Sequence, residues 1–93
     1  MYKINSYTFR QAKKIHVKVK PSRKGKYKLD VFDEKTNKFI TSIGANGYSD
    51  YPTFIKTKGK KFADERRRLY KIRHEKDRHV KNSRGYYADK LLW

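Results

Sequence analysis

The first 29 residues of this chain carry ten basic side chains (Lys3, Arg10, Lys13, Lys14, Lys18, Lys20, Arg23, Lys24, Lys26 and Lys28) and no acidic one. Nothing within that stretch can neutralise it, so any fold it adopts must hold most of those cations at the surface. The same constraint governs the whole chain, with a formal net charge of +17 over 93 residues. Self-repulsion at that density opposes compaction and points to a polyanionic partner, nucleic acid first.

What apolar material there is must therefore be used economically. Hydrophobic residues are 35% of the chain and charged ones 38%, a balance that leans toward disorder. The aromatic share of 15% argues for folding, because Tyr and Phe bury a large area per side chain. Residues 1–93 are read as a single basic domain with a small core, helped by Lys and Arg stems lying over apolar surface.

Cysteine is absent, which excludes a disulfide scaffold and a thiolate zinc site. No metal or other cofactor is expected. The N-terminus lacks the apolar run of a signal peptide, and no segment has the length to span a bilayer. The expectation is a protein of the cell interior that is not secreted and has no membrane partner.

Thr8 reads as a helix N-cap, with Phe9, Ala12 and Ile15 on one face of about two turns. His16 to Lys20 then alternates and stops at Pro21, and Ser22 to Lys26 is a basic loop. Tyr27 to Phe32 alternates again, with Tyr27, Leu29 and Val31 on one face. Phe39 to Ile43 is its antiparallel partner across a hairpin around Thr36-Asn37. Asp50 or Tyr51, followed by Pro52, opens a short helix that Gly59 closes. From Lys60 to about Val80 there is neither Pro nor Gly, which predicts a long helix with Phe62, Arg66, Leu69, Arg73 and Lys76 on one face, Ala63, Tyr70 and Ile72 beside it, and a narrow apolar stripe. Tyr86 to Trp93 is a final short helix or a docked apolar tail. The fold class is α+β, a short helix and a hairpin or three-stranded antiparallel sheet packed against C-terminal helices.

Two groups of cations are candidate phosphate contacts. On the long helix, Arg67, Lys71, Arg78 and Lys81 fall on a broad face away from the apolar stripe, with Arg68 beside them. Such a helix fits a major groove or lies across phosphates. Its competing reading is a solvated helix with internal pairs at i,i+4: Asp64–Arg68, Lys71–Glu75 and Arg73–Asp77. The second group is Lys18 and Lys20 on one strand face with Arg23, Lys24 and Lys26 on the loop tip, where no acid competes. Both suit sequence-independent binding to backbone, with double-stranded DNA the expected partner. An acidic protein surface is the alternative.

Nothing in the chain composes a catalytic motif. His74 and His79 are five apart, whereas zinc chelation on a helix needs i,i+4. Asp30, Asp33 and Glu34 near the hairpin are read as turn acids rather than magnesium ligands, and Gly44 to Gly47 lacks the Gly-Lys-Ser/Thr ending of a P-loop. Tyr48, Tyr51, Phe54, Tyr86, Tyr87 and Trp93 are read mainly as core, without the RNP or GXXG patterns of single-strand modules.

Ser42-Ile43-Gly44-Ala45, Gly47-Tyr48, Asp50-Tyr51-Pro52-Thr53, Arg66 to His74 and Gly85 to Trp93 together resemble a group of small basic proteins. These are encoded by large double-stranded DNA viruses of algae and amoebae and by some phages. The resemblance covers most of the chain, more loosely from Ser6 to Lys20. It implies work beside a viral genome, within the virion or the infected host cell, and carries over no activity and no functional residue. Under it, the leading expectation is a non-enzymatic nucleic-acid-binding protein for genome condensation or packaging. The alternative is a minor capsid or core protein bridging acidic virion surfaces.

Overall fold

Alternation in the N-terminal half builds a sheet. The computed structural model describes residues 2–93. Helix α1 (Ser6–Lys14) precedes strands β1 (Val17–Pro21), β2 (Tyr27–Asp33) and β3 (Phe39–Ala45), which form one antiparallel sheet in the order β1-β2-β3. Helices α2 (Tyr51–Lys58), α3 (Lys60–Arg73) and α4 (Arg84–Leu92) follow. The domain is thus α+β, with the short first helix, the three-stranded sheet and the C-terminal helices expected from sequence.

The register sets which side chains share a face. Val19 lies opposite Val31 and Leu29 opposite Ile43, so these residues and Val17 make one apolar face. Ala12 of α1 and Tyr87, Leu91 and Leu92 of α4 close over it. Leu29, Val31, Ile43 and Leu91 are fully buried, each side chain worth about 1.5–3 kcal/mol relative to exposure. The β2–β3 hairpin turns where expected. Asp33 accepts hydrogen bonds there from the Lys35 and Thr36 amides and the Thr36 hydroxyl, and Asn37 takes the left-handed conformation.

Thr8 does not cap α1. The helix begins three residues' length earlier in hydrogen bonding, with the Asn5 carbonyl accepting from the Thr8 and Phe9 amides. Thr8 is fully buried instead, its hydroxyl donating to the Leu91 carbonyl at 2.9 Å. That carbonyl belongs to the last turn of α4 and has no partner within its own helix, so Thr8 ties the first helix to the last. The α1 face is rotated accordingly: Thr8 and Ala12 point inward and Phe9 outward.

Asp50 caps α2, accepting from the Thr53 amide at 3.0 Å, with Pro52 in the first turn. Gly59, at φ 90°, separates α2 from α3. The long C-terminal helix is shorter than its composition predicts, ending at Arg73 rather than near Val80. Past His74 the chain folds back in turns, so that the Arg78 guanidinium lies 3.8 Å from Asp89 and Gly85 packs on the Asp77 backbone. Helix propensity in 74–80 yields to those tertiary contacts. The apolar stripe of α3 is also displaced by one position: Ala63 and Tyr70 are buried, while Phe62 and Leu69 are exposed.

Candidate nucleic-acid interface

α1 and α4 cover one face of the sheet; the opposite face is open around Lys18, Lys20 and Phe39, while Lys28 and Ser42 on it are buried. Lys18 and Lys20 project there from β1, Asp30 and Phe32 from β2, and Phe39 from β3, since Lys18 pairs with Phe32, Lys20 with Asp30 and Phe32 with Phe39. The Phe32 and Phe39 rings meet edge-on with centroids 5.8 Å apart, and Phe39 stays 50% exposed. Two ammonium groups bracket this pair. Lys20 Nζ lies 5.5 Å from the Phe32 ring centre, and Lys24 Nζ, from the β1–β2 turn, 5.1 Å from that of Phe39. Arg23 lines the same shallow groove.

These cations are not consumed internally. Of the ten basic residues before Asp30, Lys28 is the one that pairs with a carboxylate among the described residues. Lys18 donates to the Asn37 side-chain carbonyl at 3.0 Å, a neutral partner that leaves its charge in place. Asp30 is the acid within the patch, its carboxylate engaged by the Ser42 hydroxyl at 2.7 Å. Lys26 is exposed on the turn, which the Asn46 side chain pins by donating to the Gly25 and Tyr27 carbonyls.

The helical group behaves differently. Arg68 Nε donates to Glu65 at 3.1 Å, and the guanidinium holds that carboxyl below its ordinary range. Lys71 Nζ bonds Asp89 at 2.7 Å. Arg78 lies off the helix, its side chain 19% exposed, and pairs with Glu75 and Asp89. Arg67 stacks over Tyr51 at 4.6 Å from the ring centre. Lys81 also falls beyond the end of α3, in a turn, so the broad face drawn through Arg67, Lys71, Arg78 and Lys81 does not exist as one surface.

The three internal pairs expected on α3 are replaced as well. Asp64 takes Lys60 and the Tyr51 hydroxyl, Glu75 takes Arg78 and His79, and Asp77 takes His74. On α3 itself Asp64 pairs with Lys60 and Glu65 with Arg68, while Arg66 and Arg73 carry no ion pair among the described residues, and Glu75 and Asp77 lie beyond its end. His74 and His79 sit on different acids, and among the described residues no group of three or more His, Asp and Glu gathers to hold a metal ion. Among the described residues, no helix is long and apolar enough to cross a membrane.

Sequence reasoning placed Lys18, Lys20, Arg23 and Lys24 together but gave Phe32 and Phe39 no part. The signal for them was present, because a hairpin centred on Thr36-Asn37 brings these two rings opposite each other on the face that carries Lys18 and Lys20. No protein-family model matches the chain, and no curated protein or solved structure matches it either.

Proposed function

We propose that the protein binds nucleic acid through its backbone phosphates, as a binding protein rather than an enzyme, using the open part of that sheet face and the basic β1–β2 turn. The partition of charge carries this reading. Lys18, Lys20, Arg23, Lys24 and Lys26 have no carboxylate partner among the described residues, while Arg68, Lys71 and Arg78 are already paired. Ammonium groups held this way neutralise phosphates and release condensed counterions without reading bases. The resemblance read in the sequence implies double-stranded viral DNA as the polyanion and genome condensation as the setting. The burial of Tyr87, Leu91 and Leu92 in the domain's own core favours this over a role bridging virion proteins, for which an apolar tail would have to stay free.

The test is a titration of labelled duplex at several salt concentrations. Affinity should fall steeply with salt, and Lys20→Ala/Lys24→Ala should lower the log–log slope by about two. Salt-insensitive binding, or a preference for an acidic polypeptide over DNA at matched charge, would overturn the reading and assign the patch to a protein surface.

A further inference from the structure

A second cleft lies away from the sheet patch, between α3 and the Gly44–Ser49 loop. Its volume is about 440 Å³, within the roughly 300–1,000 Å³ usual for small-molecule sites. One wall is a single face of α3: Arg66, Tyr70, Arg73 and His74 stand at i, i+4, i+7 and i+8. Trp93 stacks on Tyr70 with centroids 4.4 Å apart and planes 7° from parallel, and His74 stacks on the other side of Tyr70 at 4.3 Å. Phe54 closes the floor beside Trp93, with the Arg66 guanidinium over its ring at 5.8 Å. Tyr48, 75% exposed, stands at the mouth.

The charge in this cleft is positive and uncommitted. Arg66 and Arg73 have no ion pair among the described residues. The one acidic side chain in the lining, Asp50, is buried and satisfied by Lys28, the Tyr2 hydroxyl and the Thr53 amide. Two arginines and a flat aromatic stack lining one cleft form a place for a group that is itself flat at one end and anionic at the other. Arginine grips phosphate with paired N–H donors, and aromatic rings accept a base by stacking.

The geometry points to a nucleotide site: the cleft takes one nucleoside monophosphate unit, its base against the Trp93–Phe54 wall and its phosphate between Arg66 and Arg73. The unit can come as a free mononucleotide or as an unpaired nucleotide of a strand. The site goes beyond phosphate binding on the sheet and does not depend on it.

Trp93 is the sole tryptophan, so its fluorescence reports the cleft directly. Uridine monophosphate should quench it saturably, with uridine and inorganic phosphate each at least about tenfold weaker. Arg66→Gln/Arg73→Gln, both at exposed positions, should weaken the nucleotide by about tenfold or more, while Lys20→Ala/Lys24→Ala leaves it unchanged. A duplex with a single-stranded overhang separates the two sources. If the overhang binds more tightly than the free nucleotide, and only with Arg66 and Arg73 present, the strand is the natural ligand; the reverse order assigns the free nucleotide. Quenching that is linear, equal for nucleoside and nucleotide, or indifferent to Arg66→Gln/Arg73→Gln would overturn the site. Loss of duplex affinity in the Lys20→Ala/Lys24→Ala chain bears on the sheet patch alone.

Discussion

Lys71 Nζ lies 2.7 Å from Asp89 Oδ1 and joins α3 to α4. Asp89 is 2% exposed, and its second oxygen faces Arg78 at 3.8 Å. A buried carboxylate held by two cations makes those cations structural, whatever their place in a basic run suggests. Lys71→Ala leaves Asp89 underpaired and should cost about 2 kcal/mol, below the usual range for breaking a buried pair because Arg78 remains. It should leave the salt dependence of DNA binding as it was, in contrast to Lys24→Ala, which lowers the slope by about one. Urea unfolding and salt titrations on the two variants decide the matter. A Lys71→Ala chain of native stability with a reduced slope would return Lys71 to the interface.

Gly44 combines two demands that only glycine meets. Its φ is 76°, and a Cβ there would stand 2.7 Å from Leu92 Cδ1 and 3.2 Å from Lys28 Cδ. Gly47 has φ 91° but nothing within 4 Å of its Cβ position. Gly47→Ala should therefore cost only the backbone strain, about 1 kcal/mol. Gly44→Ala should cost about 2–3 kcal/mol, since Leu92 must also move from the core. Equal losses in thermal or urea melts would show that α4 packs less tightly on β3 than the structure has it.

The sheet was legible from residue pattern because its signals are local. Val17, Val19, Leu29 and Val31 recur at every second position of their strands, and the Asp33–Asn37 turn carries its own hydrogen bonds. The α2 start was legible for the same reason, Asp50 and Pro52 being an N-cap and a first-turn residue. What failed depended on distant partners. Nothing near Thr8 announces that its hydroxyl will meet the Leu91 carbonyl 83 residues on. Nothing between His74 and Val80 breaks a helix locally; Asp89 and Gly85 do so from α4. The candidate interface divides along the same line. The acid-free Lys/Arg segment has no carboxylate nearby in sequence and, Lys28 apart, none pairs with it among the described residues, whereas Lys71 and Arg78 gain Asp89 as a partner only in space.

Tyr70 predicts an alkaline limit to stability. Burial, then Asp89 and Asp77, push its phenol up to about 12. The fold favours the neutral form, so the stability it contributes is fully present below about pH 10 and is lost as pH rises toward 12. Tyr70→Phe keeps the ring between Trp93 and His74 and removes the ionisation. Relative to the native chain it should gain on the order of 1 kcal/mol between pH 10 and 11. Lysine deprotonation affects both chains alike and cancels in the difference. Urea midpoints that stay parallel across that range would exclude Tyr70 as the group responsible.

Asp50 is a buried carboxylate that contributes to the acid limit. Its carboxylate lies 3.0 Å from Lys28 Nζ, with side chains 1% and 6% exposed respectively. Burial works against its charged form, but the Thr53 amide, the Tyr2 hydroxyl and Lys28 together hold its carboxyl below the ordinary value. A carboxyl depressed in this way contributes stability above about pH 4, which is lost as pH falls through the folded-state value. Asp50→Asn keeps a good N-cap for α2 but strands the Lys28 ammonium in the interior. It should cost about 3–5 kcal/mol at neutral pH and flatten the acid limb of the stability curve. Lys28→Met in the same chain should restore much of the loss, because the uncompensated charge is then gone and an apolar stem fills its place. If the double variant is no more stable than Asp50→Asn alone, the cost lies in the hydrogen bonds of Asp50 to Tyr2 and Thr53, and the buried ion pair contributes little.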